Sequence, residues 1–131
     1  MDFPKEFKYT KSHEYIKVIP NNKAIVGITS YASSELGDVV YVELPEIGKS
    51  YKSNEKFGVI ESVKSVSDLY IPNAGKILEV NNELNDHPEY INQDPYGKGW
   101  ILKIELTSDP NQNKDLISRD EYSKFVLAQA H

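Results

Sequence analysis

The residue in this sequence best placed to do chemistry is Lys64, the meeting point of two β-prone runs that together span Phe57 to Tyr70. Gly58 permits close backbone approach in the first run, and Pro72-Asn73-Ala74-Gly75 forms the turn after the second. Lys64 therefore projects from a hairpin tip. A lysine there suits a swinging covalent group, because its flexible stem adds reach while the hairpin fixes where the arm begins. Taken on spacing alone, a solvated turn lysine is the commoner meaning of such a position. Other chemistries find less support. Ser12-His13-Glu14 contains the residue types of a catalytic triad, but neighbouring side chains on an extended chain point apart and form no relay. His13, His87 and His131 lack the spacing of metal ligands. Cysteine is absent, which removes disulfides, thiolate metal sites and a thiol nucleophile, so any redox sulfur must be imported.

The elements that position Lys64 are short β-rich runs from Tyr15 to Leu106, separated by turn residues, as an all-β sandwich or barrel requires. Tyr15–Ile19 and Ala24–Ile28 form a hairpin around Pro20-Asn21-Asn22-Lys23, where two Asn tolerate positive φ. Thr29 or Ser30 caps a short helix through Leu36, with Gly37 placed to end it in the left-handed conformation. Strands are expected at Val39–Leu44, Phe57–Val63, Val66–Ile71, Lys76–Val80 and Trp100–Leu106. In the last, Trp100, Leu102, Ile104 and Leu106 alternate with Ile101, Lys103 and Glu105, so the first set faces inward and the second outward. Ser108-Asp109-Pro110-Asn111 is a turn, and Ser118-Arg119-Asp120-Glu121 has the form of a capping box. A C-terminal helix follows, with Tyr122, Phe125 and Val126 on one face. The expectation is one domain over 1–131, with a sandwich over about 6–107 and a helical segment over about 111–130.

Composition narrows the class. With 39% apolar and 27% charged residues the chain is an ordinary globular one, and its net charge of -5 disfavours nucleic acid as a partner. The N-terminal Met1-Asp2-Phe3-Pro4-Lys5-Glu6 has neither a signal core nor transit-peptide character, and no apolar run approaches membrane-spanning length. The chain reads as cytoplasmic, or as mitochondrial if it is a trimmed mature form.

Glu61-Ser62-Val63-Lys64-Ser65-Val66-Ser67-Asp68 resembles the lipoylation motif of glycine cleavage H proteins. Ser12-His13-Glu14-Tyr15, Val26-Gly27-Ile28-Thr29 and Leu36 to Pro45 resemble further segments of that family, as does Asn92 to Ile104 with its Pro-Tyr and Gly-Trp pairs. The resemblance covers about residues 6 to 127 in order. It implies a mainly β fold: a flattened barrel-sandwich hybrid of two antiparallel sheets, of the lipoyl and biotinyl carrier type, with a connector helix and a C-terminal helix. It also implies lipoate in amide linkage to Lys64, the arm accepting electrons and an aminomethyl group. The implied partners are a glycine decarboxylase (P protein), an aminomethyltransferase (T protein), a dihydrolipoyl dehydrogenase (L protein) and a lipoyl-attaching enzyme. The chain itself would be a non-catalytic carrier, and a monomer.

By the same resemblance Glu61 and Gly75 match positions read by modifying enzymes, although a solvated strand carboxylate and a turn glycine account for them equally well. Ser12, Glu14 and Asp68 match positions lining the cleft that holds the loaded arm, with ordinary turn and edge polars as the alternative. The sequence departs from the pattern at Tyr15, where the family usually has Trp and an indole donor is lost, and at Glu35, where some relatives place His beside the arm. Ser65-Val66 replaces a commoner Ala-containing pair. Lipoyl domains of 2-oxoacid dehydrogenases and biotin carriers share the fold, but they usually carry Asp-Lys-Ala or Met-Lys-Met at the tip. A lipoyl relay or scaffold needs the same lysine and hairpin, so it stays open.

Overall fold

The protein is described by a computed structural model covering residues 2–129. The expectations for Met1, Ala130 and His131 lie outside the described residues. In chain order the elements are β1 (Lys8–Tyr9), β2 (Glu14–Ile19), β3 (Lys23–Ile28), α1 (Ser30–Leu36), β4 (Val39–Glu43), β5 (Ser50–Tyr51), β6 (Lys56–Ser62) and β7 (Val66–Tyr70). There follow β8 (Gly75–Val80), α2 (Tyr90–Gln93), β9 (Leu102–Leu106) and α3 (Arg119–Gln129), with short 3-10 turns at Asn82–Asn85 and Pro110–Gln112. Two antiparallel sheets result, one ordered β1-β2-β3-β9-β8-β5 and the other β4-β6-β7. This is the expected mainly β arrangement of two sheets, without closure into a barrel.

Local chemistry explains the connections. Asn21 and Asn22 take φ of 69° and 61°, so the β2–β3 hairpin has the two consecutive positive-φ residues that match strand twist. Thr29 caps α1, its side chain accepting from the Ala32 N–H at 3.2 Å. Gly37 ends that helix at φ 77° and ψ -158°, so it has positive φ but lies outside the left-handed helical well expected for it. At α3 only half of the reciprocal capping box forms. The Glu121 N–H donates to Ser118 Oγ at 3.2 Å, while the Glu121 carboxylate accepts from the same hydroxyl and not from the Ser118 backbone.

Between the sheets lies an aliphatic core of Ile16, Val26, Ile60, Leu69, Ile71, Ile77, Leu102 and Ile104, each stabilising the fold by about 1.5–3 kcal/mol through burial. A second core is aromatic: Phe3, Phe7, Tyr9, Tyr15 and Tyr122, with Val126. Through it α3 docks on the β1–β2 edge, Tyr122 stacking on Tyr9 at 4.7 Å and 10°. The predicted stripe therefore packs as expected, with Tyr122 and Val126 buried and Phe125 half-buried. Ile101 departs from expectation, since it is fully buried and not outward-facing. The β9 ladder begins only at Leu102, so strand alternation does not govern Ile101, whose N–H donates to Val26 O at 2.9 Å. Tyr15 has no indole donor but supplies a donor of its own: its buried phenol donates to Pro95 O at 2.7 Å.

Candidate functional site

The tip joining β6 to β7 is the loop Val63-Lys64-Ser65, closed by the Ser62 N–H donating to Ser65 O at 2.8 Å. It contains no positive-φ residue. The Ser62 hydroxyl accepts from the N–H groups of Lys64 and Ser65 at 3.3 and 3.1 Å, holding the bend from inside. The Val63 N–H donates to Asp38 O at 3.0 Å, which ties the tip to the segment between α1 and β4. Lys64 is exposed and has no ion-pair partner among the described residues. Its stem lies over Gly37, where a Cβ would stand 3.3 Å from Lys64 Cε.

Beside the tip is a cleft of about 320 Å3. Ser65, Ser67 and Asp68 of the second hairpin strand form one side and Tyr31, Glu35 and Leu36 of α1 the other, above Ile28, Ile60 and Leu69. Ser12, His13 and Glu14 also line it. The structure thus brings Ser12, Glu14 and Asp68 together in one cleft, with Glu35 added. A larger hollow of about 740 Å3, lined by Lys11, Asn54, Lys114 and Asp115 among others, includes no tip residue. For an arm on Lys64 the smaller cleft is the relevant one, because its wall continues into the hairpin.

Glu14 is 1% exposed, and its carboxylate accepts from Ser12 Oγ, from Thr10 Oγ1 at 2.9 Å and from the Tyr70 N–H at 3.3 Å. Burial pushes its pKa up to about 7 from the ordinary 4.5, and these hydrogen bonds only partly oppose the shift. Asp68 is exposed and pairs with Lys56 Nζ at 3.2 Å, a contact of little energetic weight in water. His13 was legible in the sequence only as a failed metal ligand or triad member. It adopts φ 74°, and its Nδ1 lies 2.8 Å from the Tyr122 hydroxyl, which also bonds Thr29 Oγ1 at 2.7 Å. Burial pushes the imidazole below its ordinary 6.5, opposed by a hydrogen bond with Gln129 and the charge of Glu35. Ser12, His13 and Glu14 form no relay, because serine and glutamate bond each other while the histidine turns to Tyr122.

Outside the cleft, Glu61 is half-buried and sits between Tyr41 and Val66 in one row of the three-stranded sheet. A bulge between Val39 and Tyr41 leaves Val40 unpaired, so Val40 and Tyr41 are both about half exposed. With Val63 and Val66 they surround the tip with exposed apolar surface. Gly75 lies elsewhere, buried in the six-stranded sheet, where a Cβ would stand 2.9 Å from Glu105 O. The geometry gives Gly75 a packing role, since a side chain there would meet the Glu105 carbonyl and Ile104.

Residues 7–129 match the family described as Glycine cleavage H-protein. The chain belongs to the glycine cleavage H-protein family. It is 54% identical over 126 residues to the glycine cleavage system H protein of Staphylococcus epidermidis, covering 96% of this chain and 98% of that one. With the corresponding protein of Symbiobacterium thermophilum it shares 57% identity over 123 residues, 94% of each chain. The solved H protein of Mycobacterium marinum superposes with a TM-score of 0.85 at 39% identity, over 93% of this chain and 97% of that one. Membership of this family supports a lipoyl carrier role in glycine cleavage. No helix among the described residues is long and apolar enough to cross a membrane.

Proposed function

We propose that this chain carries lipoate in amide linkage to Lys64 and acts as the non-catalytic shuttle of the glycine cleavage system. The observation that carries the reading is the position of Lys64, an exposed amine on a short hairpin tip beside a cleft large enough to receive a small ring. The residues present fit the group. The amine is open to a lipoyl-attaching enzyme, and Ile28, Ile60 and Leu69 offer apolar surface within reach of the tip. Held in amide linkage by Lys64, lipoate would supply a disulfide that is reduced as it accepts an aminomethyl group from the glycine decarboxylase and, once the group has gone to the aminomethyltransferase, a dithiol able to return its electrons to dihydrolipoyl dehydrogenase.

The chain's own residues bind and exclude. Amide formation at Lys64 removes its charge, leaving a neutral tether whose attachment raises the effective concentration of its end at a docked partner. Glu14, Ser12 and Asp68 offer two carboxyl groups and a hydroxyl to a cationic amine delivered into the cleft. An ammonium beside Glu14 favours its ionised form, lowering a pKa that burial has raised to about 7. The apolar surface around the tip, with Glu61 in its midst, suits recognition by the enzymes that modify or read Lys64. We place this work in the cytoplasm, in keeping with the bacterial relatives.

Intact mass and peptide mapping of the chain from a lipoate-competent host test the reading, with Lys64→Arg as the comparison. One lipoyl group per chain, located at Lys64 and absent from the variant, is the expected result. An unmodified chain under conditions that lipoylate a control domain overturns it.

A further inference from the structure

We infer that Asn92 is a positioning residue for the side chain at 64, its amide holding the turn on which the stem of that side chain rests. α1 ends at Leu36 and β4 starts at Val39, so Gly37 and Asp38 alone make the turn. Asn92 brackets it from both sides: Nδ2 donates to Gly37 O at 2.8 Å, and Oδ1 accepts from the Val39 N–H at 2.9 Å. A longer contact from Nδ2 reaches Ser33 O at 3.4 Å. The side-chain amide thus replaces the backbone partner that a neighbouring strand would otherwise provide. Asn92 is itself fixed by α2, which is anchored through the fully buried Ile91.

The bracketed turn meets the tip twice. Asp38 O accepts the Val63 N–H at 3.0 Å, and the Lys64 stem crosses Gly37, with Cδ and Nζ each 3.9 Å from where a Cβ would stand. At φ 77° and ψ -158° this position is strained for any side chain, and a Cβ there would crowd the stem, whose Cε would lie 3.3 Å away. Leu36, the next residue back, lines the cleft, so a stem laid on Gly37 begins the arm at the cleft rim and not in open solvent. A long lysine stem on an exposed loop otherwise samples many rotamers, and restraint at its root reduces what must be ordered when the arm enters the cleft. The consequence for the arm rests on the lipoyl reading above, whereas the contact concerns lysine itself and stands apart from it.

Nuclear magnetic resonance on the unmodified chain tests the contact. A cross-peak between the Lys64 ε-methylene and the Gly37 α-protons is expected in the wild type and lost in Asn92→Ala, with faster exchange of the Val63 amide. Asn92→Asp, which keeps the acceptor for Val39 and loses the donor to Gly37, should fall between them. A cross-peak absent from the wild type, or undiminished in Asn92→Ala, overturns the inference. On the lipoylated chain, Asn92→Ala should speed reduction of the dithiolane by a water-soluble phosphine by roughly threefold to tenfold, from release of one restrained side chain. An unchanged rate overturns the consequence for the arm. Failure of lipoylation itself would be read by mass and would remove the carrier reading while leaving the cross-peak in place.

Discussion

The two ends of the lysine cleft are built on opposite plans. At the tip, Val63, Lys64, Ser65 and Val66 are all exposed, and the bend is held by the Ser62 hydroxyl, the Ser62–Ser65 backbone bond and one backbone bond to Asp38. At the far end Glu14, Thr29 and Tyr122 are buried, every polar atom has a partner, and the phenol of Tyr122 joins His13 to the cap of α1. Burial keeps that phenol well above its ordinary pKa, so it remains a donor. The tip, where we propose that other proteins reach Lys64, is held by few contacts, and the far end, proposed to receive the arm, is fixed by aromatic packing and buried hydrogen bonds. Function at the tip is therefore separable from folding, and function at the far end is not.

That contrast can be broken by measurement. The largest effect is expected for Tyr122→Ala, which removes a fully buried ring stacked on Tyr9 and should cost about 3–5 kcal/mol in chemical denaturation. Next comes Glu14, whose pKa of about 7 in the folded chain exceeds the ordinary 4.5. Between those values the native state keeps a proton that the unfolded chain has released, so this contribution is complete below pH 4.5 and is lost as pH rises through 7. Stability should fall by about 3 kcal/mol across that window in the wild type, and Glu14→Gln should remove this part of the slope. Superimposable stability profiles for the two chains would show that the far end is not built on a buried neutral acid.

Smaller again is Tyr122→Phe, which keeps the ring and deletes the hydroxyl shared by His13 and Thr29, at about 1–2 kcal/mol. Smallest are the tip variants. Lys64→Arg and Val66→Ser should each change stability by less than about 0.5 kcal/mol, while the first abolishes modification and the second weakens capture by a modifying enzyme. A tip variant that unfolds as readily as Tyr122→Ala would erase the distinction between the two ends.

The sequence was informative where its signals are local. Lys64 between two β-prone runs, the Asn21-Asn22 turn and the Tyr122, Phe125, Val126 stripe each depend on residues within a few positions of one another, and each has its expected place. β1 and β5 are two residues long and exist only through pairing with β2 and β8, so no periodicity could announce them. Ile101 escapes the alternation of its neighbours because the ladder starts only at Leu102. Asn92 reaches Val39 across 53 positions and His13 reaches Tyr122 across 109, and side-chain bonds of that separation leave no pattern in one chain. For the same reason only family resemblance points to Ser12, Glu14 and Asp68 in the sequence, whereas their convergence and the burial of Glu14 are properties of the folded chain.

The bulge at Val40 has a second consequence, for colloidal behaviour. β4 and β7 are the outer strands of the three-stranded sheet, and exposed valines and a tyrosine lie along them, a composition that invites edge-to-edge addition of strands from another copy. An unpaired residue near the start of β4 kinks the strand and breaks the regular row of donors and acceptors that such a template needs. The apolar face around the tip therefore ends, on the β4 side, in an edge too irregular to serve as a straight template for added strands.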